Sequence, residues 1–299
     1  MFWFKVSVKD DERGFLLRNG KIERLLPPGR FSAFDPSREL SCEIVKVVRT
    51  ELPIERALML SRLHPRIAEE NIEIVKTGPT QVGLIALDGQ LSTLMTPNSI
   101  RAFWTSVTEV TVDLVDAARE LRMTKPYQDR LAGWRTPLIV EAMVEPNERA
   151  LLIVDGRLEE QLAPGRHVFW QVGRTIRVQK FDMRPQALEV TAQEILTKDR
   201  IGIRVTLTAF FQVADAEKAM MATGDLGQTI YKHVQFAIRE AVAARTLDEI
   251  LAARDTLDKE VRAYVQPRVG ELGCAMGEIG VKDIILPGDV RELLNKVVE

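Results

Sequence analysis

Cysteine and histidine are both scarce in this chain of 299 residues, which has two of the first and three of the second. Cys42 and Cys274 lie in different parts of the sequence. A disulfide framework needs more cysteines and a zinc site needs clustered ligands, so two buried thiols in a reducing compartment are expected instead. His64, His167 and His233 are isolated, and neither G-x-S-x-G nor H-E-x-x-H occurs. No nucleophile is therefore paired with a base, and neither a catalytic residue nor a metal site is predicted. G-x-x-x-x-G-K-[ST] and G-x-G-x-x-G are missing too, and no cofactor is predicted. Neither sign of charge dominates: the net charge is -2, the pI is near 6.1, and no block is rich in Lys and Arg. Phosphate binding needs clustered positive charge, so no nucleic-acid partner is expected. Long apolar runs are also missing, and nothing approaches the roughly 18 to 20 residues of a spanning helix. The apolar start turns polar at Lys9-Asp10-Asp11, too soon for a secretory signal. The cluster Phe2-Trp3-Phe4 has two readings, a contact with a bilayer surface or an ordinary first strand; alternation through Val6 and Val8 favours the strand.

What the sequence does have is apolar material for a core, 45% hydrophobic against 28% charged, a length suited to two or more domains, and a repeat. The first copy reads ERGFLLRNGKIERLLPPGRFSAF, from Glu12 to Phe34, and the last reads ERALLIVDGRLEEQLAPGRHVFW, from Glu148 to Trp170. They align without a gap, Gly20 on Gly156 and Pro28-Gly29-Arg30 on Pro164-Gly165-Arg166. A weaker copy, VGLIALDGQLSTLMTPNSIRAFW, runs from Val82 to Trp104 between them. Asn19-Gly20, Asp88-Gly89 and Asp155-Gly156 each sit between short apolar runs. A type I′ turn needs positive φ at both central residues, which these pairs tolerate, so each is a predicted two-residue hairpin. Aromatic residues close the copies: Phe31 and Phe34, Phe103 and Trp104, Phe169 and Trp170. They are expected to plug the end of a small sandwich or barrel, with ligand stacking the weaker alternative.

Ile54 to Leu63 and Val112 to Leu121 carry apolar residues at helical spacing, the first stopping before Pro65. Boundaries fall near residues 50 to 80 and 124 to 136. The expected segments are 1–70 and 71–135, each a β-rich unit with a helical stretch, then 136–195, a third β-rich unit, then 196–299, a mixed α/β part with a C-terminal helix. Strands are predicted at Thr175 to Phe181, Leu188 to Ala192 and Ile201 to Val213, the last alternating apolar and polar residues. Helices follow at Asp215 to Thr223 and Gln228 to Arg245. Thr246-Leu-Asp-Glu249 is a capping box opening a further helix. Its outer face carries Asp248, Asp255, Asp258, Lys259 and Arg262, with Arg254–Asp258 and Asp255–Lys259 spaced to pair, at about 0.3 to 0.5 kcal/mol each. Asp248, Arg254, Asp255 and Lys259 are the candidate assembly surface. Pro267 and Gly270 are expected to end or kink this helix, and Gly280 to Leu286 to form a short strand. Asp289 and Glu292 open a last helix with Val290, Leu293, Leu294 and Val297 on its apolar stripe. No Gly or Pro stops it before Glu299, and it is expected to continue in a longer natural chain.

Several of these pieces are similar, in order and spacing, to one family. They are the hairpin from Glu148 through Asp155-Gly-Arg to Pro164-Gly-Arg, the strand TKDRIGIRVTLTAFFQV from Thr197 to Val213, the stretches Ala237-Ile-Arg-Glu and RTLDEILAARD from Arg245 to Asp255, and the ending GVKDIILP from Gly280 to Pro287. From about Glu141 to Glu299, about half its length, the chain resembles the SPFH (Band 7) domain of the stomatin and slipin proteins. The resemblance implies a mixed α/β domain, a ring or cage of many subunits, and a scaffold role at membranes. It also implies a homo-oligomer, with membrane lipids or a membrane protease or its regulator as partners, and no catalytic residues. The chain would then be membrane-associated on the cytoplasmic side, or cytoplasmic, with no transmembrane segment of its own. Typical stomatins carry a membrane-inserting hairpin before the domain, where this chain has two further β-rich units. That order is also similar to the organisation of vault particles, a likeness of architecture alone. The expected fold is α+β and the expected function that of a non-enzymatic scaffold subunit. Two alternatives are a soluble vault-like container, and a protein-binding module anchored by the paired aromatics that regulates a membrane protease.

Overall fold

The computed structural model describes residues 3–48, 50–252, 254–286 and 288, with the side chains of Gln193 and Arg254 outside the description. Its first strands are β1 (Trp3–Val8), β2 (Glu12–Arg18), β3 (Lys21–Leu26), β4 (Gly29–Phe34) and β5 (Leu40–Lys46). Asn19 and Gly20 join β2 to β3 with φ of 48° and 76°, the left-handed pair a type I′ turn requires. β2 is the centre of an antiparallel sheet ordered β3-β2-β5, and β1 pairs with β4. Val8, Leu16, Leu26 and Phe31, with Phe4 and Val6, form the core between the two sheets.

The second copy has the same plan. After β6 (Glu51–Leu52), α1 (Ile54–Leu63) and α2 (Pro65–Asn71) come β7 (Ile72–Lys76), β8 (Gln81–Leu87), β9 (Gln90–Met95), β10 (Ile100–Trp104) and β11 (Val110–Asp116). β8 is central in β11-β8-β9, while β10 pairs with β7 and carries β6 on its other side. α3 (Lys125–Arg130) then precedes the third copy, made of β12 (Ile139–Val144), β13 (Glu148–Val154), β14 (Arg157–Leu162), β15 (Gly165–Trp170) and β16 (Ile176–Asp182). The pairings β14-β13-β16 and β12-β15 complete the series. Asp88-Gly89 and Asp155-Gly156 make the same turn, with φ of 50° and 79°, then 49° and 79°. Each hairpin shifts register at the same place, between Leu16 and Leu17, Ile85 and Ala86, and Leu152 and Ile153. Leu26, Met95 and Leu162, in equivalent positions, are each 1% exposed.

Each copy extends past its closing aromatics to a third sheet strand, and this corrects one expectation. Val112 to Leu121 is not a helix; β11 occupies its first half and pairs with β8 along seven residues, from Val110 on Leu87 to Asp116 on Gln81. The β-branched residues Val110, Thr111 and Val112 suit a pleated surface, and the open edge of β8 takes them up. The aromatics also differ from a single plug. Phe103 packs on Val75, Ile85 and Met95 inside its own copy. Trp104 faces the other way and packs with Phe15 of the first copy. Phe34 is exposed and Phe31 half-buried.

The chain divides into two compact units, 1–140 with 168–175, and 141–167 with 176–299. In the first, the outer face of each hairpin sheet meets the next copy. Phe15, Ile22 and Leu25 pack with Ala57 and Leu60 of α1 and with Ile72 and Trp104. Val82 and Leu84 pack with Leu131, Ile139, Val168 and Trp170, where the Tyr127 ring stands edge-on to Trp170 at 6.3 Å. The second unit continues with β17 (Gln186–Leu196), β18 (Gly202–Val213), α4 (Ala216–Ala222), α5 (Leu226–Ala243), α6 (Leu247–Ala252), α7 (Arg254–Glu271) and β19 (Cys274–Ile285). The sheet is antiparallel, ordered β17-β18-β19. Alternation along β18 turns Ile203, Val205, Leu207 and Ala209 towards α5 and α7, whose Val234, Ile238, Val261 and Val265 complete the core. The whole is an α+β architecture, tandem small β-rich units followed by a mixed α/β domain.

Two details differ from expectation in this unit, and one in the first. α7 runs through Pro267 to Glu271. The proline ring is exposed, and the fully buried Val261, Val265 and Val269 hold the helix to the core on either side of it. β19 is twelve residues long and begins at Cys274 rather than Gly280. Of the two thiols, Cys274 is buried and Cys42 only half-buried. The helix expected from Asp289 lies outside the described residues.

Candidate assembly surface

The candidate surface is built on the corner where α5 gives way to α6 and α7. Its frame begins with Thr197, a buried residue before β18 whose hydroxyl accepts from Ile201 N at 3.0 Å and donates to the Asp199 carboxylate. Asp199 in turn accepts from the Leu247 amide at 3.2 and 3.3 Å, taking up a donor that the start of α6 leaves free. The Thr197 hydroxyl, and after it the Leu247 amide, hold the Asp199 carboxyl below its ordinary value. Next to it the capping box is formed: Glu249 Oε2 accepts from Thr246 N at 2.8 Å, and Thr246 Oγ1 from Glu249 N at 3.4 Å. The Arg245 guanidinium donates to the Ala241 carbonyl at 2.8 Å and pairs with Glu260 of α7. Six side chains thus brace the corner between the three helices.

On this frame Asp248 of α6 and Asp255 and Lys259 of α7 are exposed, while Arg254 opens α7. Among the described residues Asp255 and Lys259 form no ion pair at their four-residue spacing. Asp258 departs from the expected outer face. It is half-buried and accepts from Val281 N of β19 at 2.9 Å. Burial, reinforced by the Asp255 charge, raises its carboxyl above the usual value. The six turn residues, Asn19, Gly20, Asp88, Gly89, Asp155 and Gly156, lie at three hairpin tips far apart in sequence and serve the backbone.

Other features were not visible in the sequence. A groove of about 700 Å3 in the first unit is lined by Leu17, Ile22, Met59 and Leu63, with Glu43 and Arg56 paired at 2.8 Å beside it. A more polar cavity of about 420 Å3 in the second unit lies at the start of α5. Two of its charged groups are engaged: Asp225 caps Gln228 N at 2.9 Å, and Lys180 pairs with Glu148 at 3.4 Å. Among the described residues no three His, Cys, Asp or Glu side chains gather as metal ligands. No described helix is long and apolar enough to cross a membrane.

Comparison with known proteins gives this arrangement a context. The model of the SPFH domain / Band 7 family matches residues 142–299, just over half of the chain. A stomatin homolog of Pyrococcus abyssi is 28% identical over 164 residues, covering 52% of this chain and 58% of the homolog. Stomatin-4 of Caenorhabditis elegans is 27% identical over 145 residues, covering 48% of this chain and 52% of its own length. Mechanosensory protein 2 of the same nematode is 27% identical over 145 residues, covering 48% of this chain and 30% of its own length. The chain therefore spans about half the length of the stomatin relatives it matches.

Proposed function

This chain belongs to the SPFH domain / Band 7 family, and from that premise we propose that it is a non-enzymatic scaffold subunit that assembles with copies of itself at a membrane surface. The family match carries the reading: it covers the domain from β12 onward, including the whole β17-β18-β19 sheet and its helices. The geometry supports it in two ways. The braced corner at Asp199, Arg245 and Glu249 presents Asp248, Asp255 and Lys259 to solvent on rigid helices. The outer edges of β17 and β19 carry backbone groups without a strand partner among the described residues, and such edges pair readily with a neighbouring chain. Contacts of this kind are weak singly and reinforce one another when a ring closes. Partners in this reading are further copies, membrane lipids, and a membrane protease or its regulator, with the chain on the cytoplasmic side.

The experiment is a mass measurement of the full-length protein together with flotation on liposomes. A particle of many subunits that floats supports the scaffold. Intact particles that never float would replace it with a soluble, vault-like container, and a monomer under all conditions would leave a protein-binding module.

A further inference from the structure

Comparison of the three β copies singles out one surface for the membrane contact. In the second and third copies, the sheet formed by the leading and closing strands has an apolar, covered outer face. Ile72, Ile74, Ala102 and Trp104 lie under the first hairpin sheet, and Ile139, Val168 and Trp170 under the second. The first copy has no preceding hairpin among the described residues, and its face is composed differently. Phe4, Val6, Val8 and Phe31 point into the copy's own core. The alternate residues, Trp3, Lys5 and Ser7 on β1 and Arg30, Ser32 and Phe34 on β4, are all exposed.

This face has two parts. Trp3 and Phe34, 55% and 63% exposed, sit opposite each other in the ladder with their rings edge-to-face at 5.7 Å. Beside them, Lys5 is opposite Ser32 and Arg30 opposite Ser7, around a depression of about 340 Å3. Neither Lys5 nor Arg30 forms an ion pair with a described residue, and no carboxylate is among the six. A face left uncovered in water needs only polar groups, which the serines and cations supply; two large exposed aromatics run against that need. A second copy of the chain is a poor occupant. The hairpin outer faces are already packed within the chain, through Phe15, Leu84 and Leu151. Self-pairing of this face would bring two Lys5 and two Arg30 together without a counter-charge. An anionic bilayer meets both parts at once. Tryptophan settles in the interfacial layer, phenylalanine enters the headgroup/acyl boundary beside it, and cations next to them gain from phosphate-bearing headgroups.

We propose that the outer face of β1 and β4 is a docking surface for an anionic phospholipid bilayer, with Trp3 and Phe34 entering the interface and Lys5 and Arg30 holding headgroups. The proposal rests on the membrane-associated reading above and locates its contact outside the family domain.

Full-length protein is floated on vesicles of phosphatidylcholine alone and of phosphatidylcholine with phosphatidylserine, as wild type, as Lys5→Gln/Arg30→Gln and as Trp3→Ser/Phe34→Ser. All four positions are exposed, and circular dichroism with particle mass checks that the fold and assembly persist. The wild type is expected to prefer the anionic vesicles, and the Lys5→Gln/Arg30→Gln variant to partition roughly thirtyfold less, by about fivefold for each cation removed. The aromatic variant should lose binding to both vesicle types. Wild type that floats while both variants float equally well would overturn the docking face and leave the membrane reading intact. Wild type that floats on neither vesicle would overturn the membrane reading itself. Variants that lose particle mass rather than flotation would make the face a contact between copies, and so overturn its assignment to lipid.

Discussion

Trp104 and Phe103 are neighbours in sequence on opposite faces of β10, and they offer a test of how the copies hold together. Each is 2% exposed. Trp104 is packed across the copies, its ring 6.2 Å from that of Phe15 at 43°, with Leu52, Leu60 and Ile72 around it. Phe103 is packed within its copy on Val75, Ile85 and Met95. Truncating a buried Trp or Phe to Ala costs about 3 to 5 kcal/mol, as lost transfer energy plus the cavity left behind. The two substitutions should therefore cost similar totals in different places. Trp104→Ala removes the lid of the first hairpin sheet, so amide protection should fall on β2 and β5 as well as on β7 and β10. A loss of about 3 kcal/mol corresponds to roughly two powers of ten in exchange rate. Phe103→Ala should act first on β8 and β9, leaving β2 and β5 closer to wild type. Hydrogen exchange read by mass spectrometry of peptides covering residues 12–46 and 81–95 measures both. If residues 12–46 keep full protection in Trp104→Ala, the copies are independent beads and the shared core does not stabilise them. If both variants loosen that segment equally, the two faces of β10 do not serve separate cores.

Two further perturbations follow from backbone and charge. A Cβ at Gly20, Gly89 or Gly156 would meet nothing within 4 Å, so Ala there should cost only the left-handed conformation, about 1 to 2 kcal/mol. At Gly273, with φ of 73°, it would lie 2.5 Å from the Asp215 carbonyl oxygen and 2.8 Å from Ala219 N; thermal melts should rank Gly273→Ala well below the three turn variants, and equal melting temperatures would refute the ranking. Asp199 has its folded carboxyl held down by Thr197 and Leu247. Its contribution is complete above the unfolded carboxylate value and fades as pH falls through the lower folded one. The difference in melting temperature between wild type and Asp199→Asn should be largest near neutrality and shrink below about pH 4; a gap that stays constant down to acid pH would show that the ionised carboxylate is not what holds α6.

Where one residue type meets one backbone demand, the fold was legible in the sequence. The three hairpin tips are set by Asn-Gly and Asp-Gly at positive φ, and α1 has the bounds that its apolar spacing and Pro65 suggest, Ile54 to Leu63. β11 was not legible, because VDLVDAAREL fits a helical and a strand period almost equally. What decides it is β8, a partner some thirty residues away that no local window contains. The candidate site divides in the same way. The capping box at Thr246 and Glu249 is a local pattern and forms as read. Asp258 shares a helical stripe with Asp255 and Lys259, and only the approach of β19 turns it inward to Val281. Nor could the aromatics at the copy ends be sorted into buried and exposed, since that depends on whether another copy covers them.

One repeat position shows how the front of the chain can grow without a new kind of interface. Phe15, Leu84 and Leu151 are equivalent, each at the middle of a hairpin's central strand and each fully buried. Phe15 is covered by the second copy, and Leu84 by the third. Leu151 is covered by the core that contains Ala216 and Ala219 of α4. The family domain begins at the third copy, so its own first unit already needs a partner on that face and finds it in the domain's second half. A preceding copy needs the same kind of cover, and the apolar outer sheet of the copy after it supplies one, as Trp104 and Trp170 do in turn. The series can therefore extend forward by any number of units, each stabilised chiefly by its neighbour. What cannot repeat is the outermost face. Such a face must be polar, or it must have an occupant of its own.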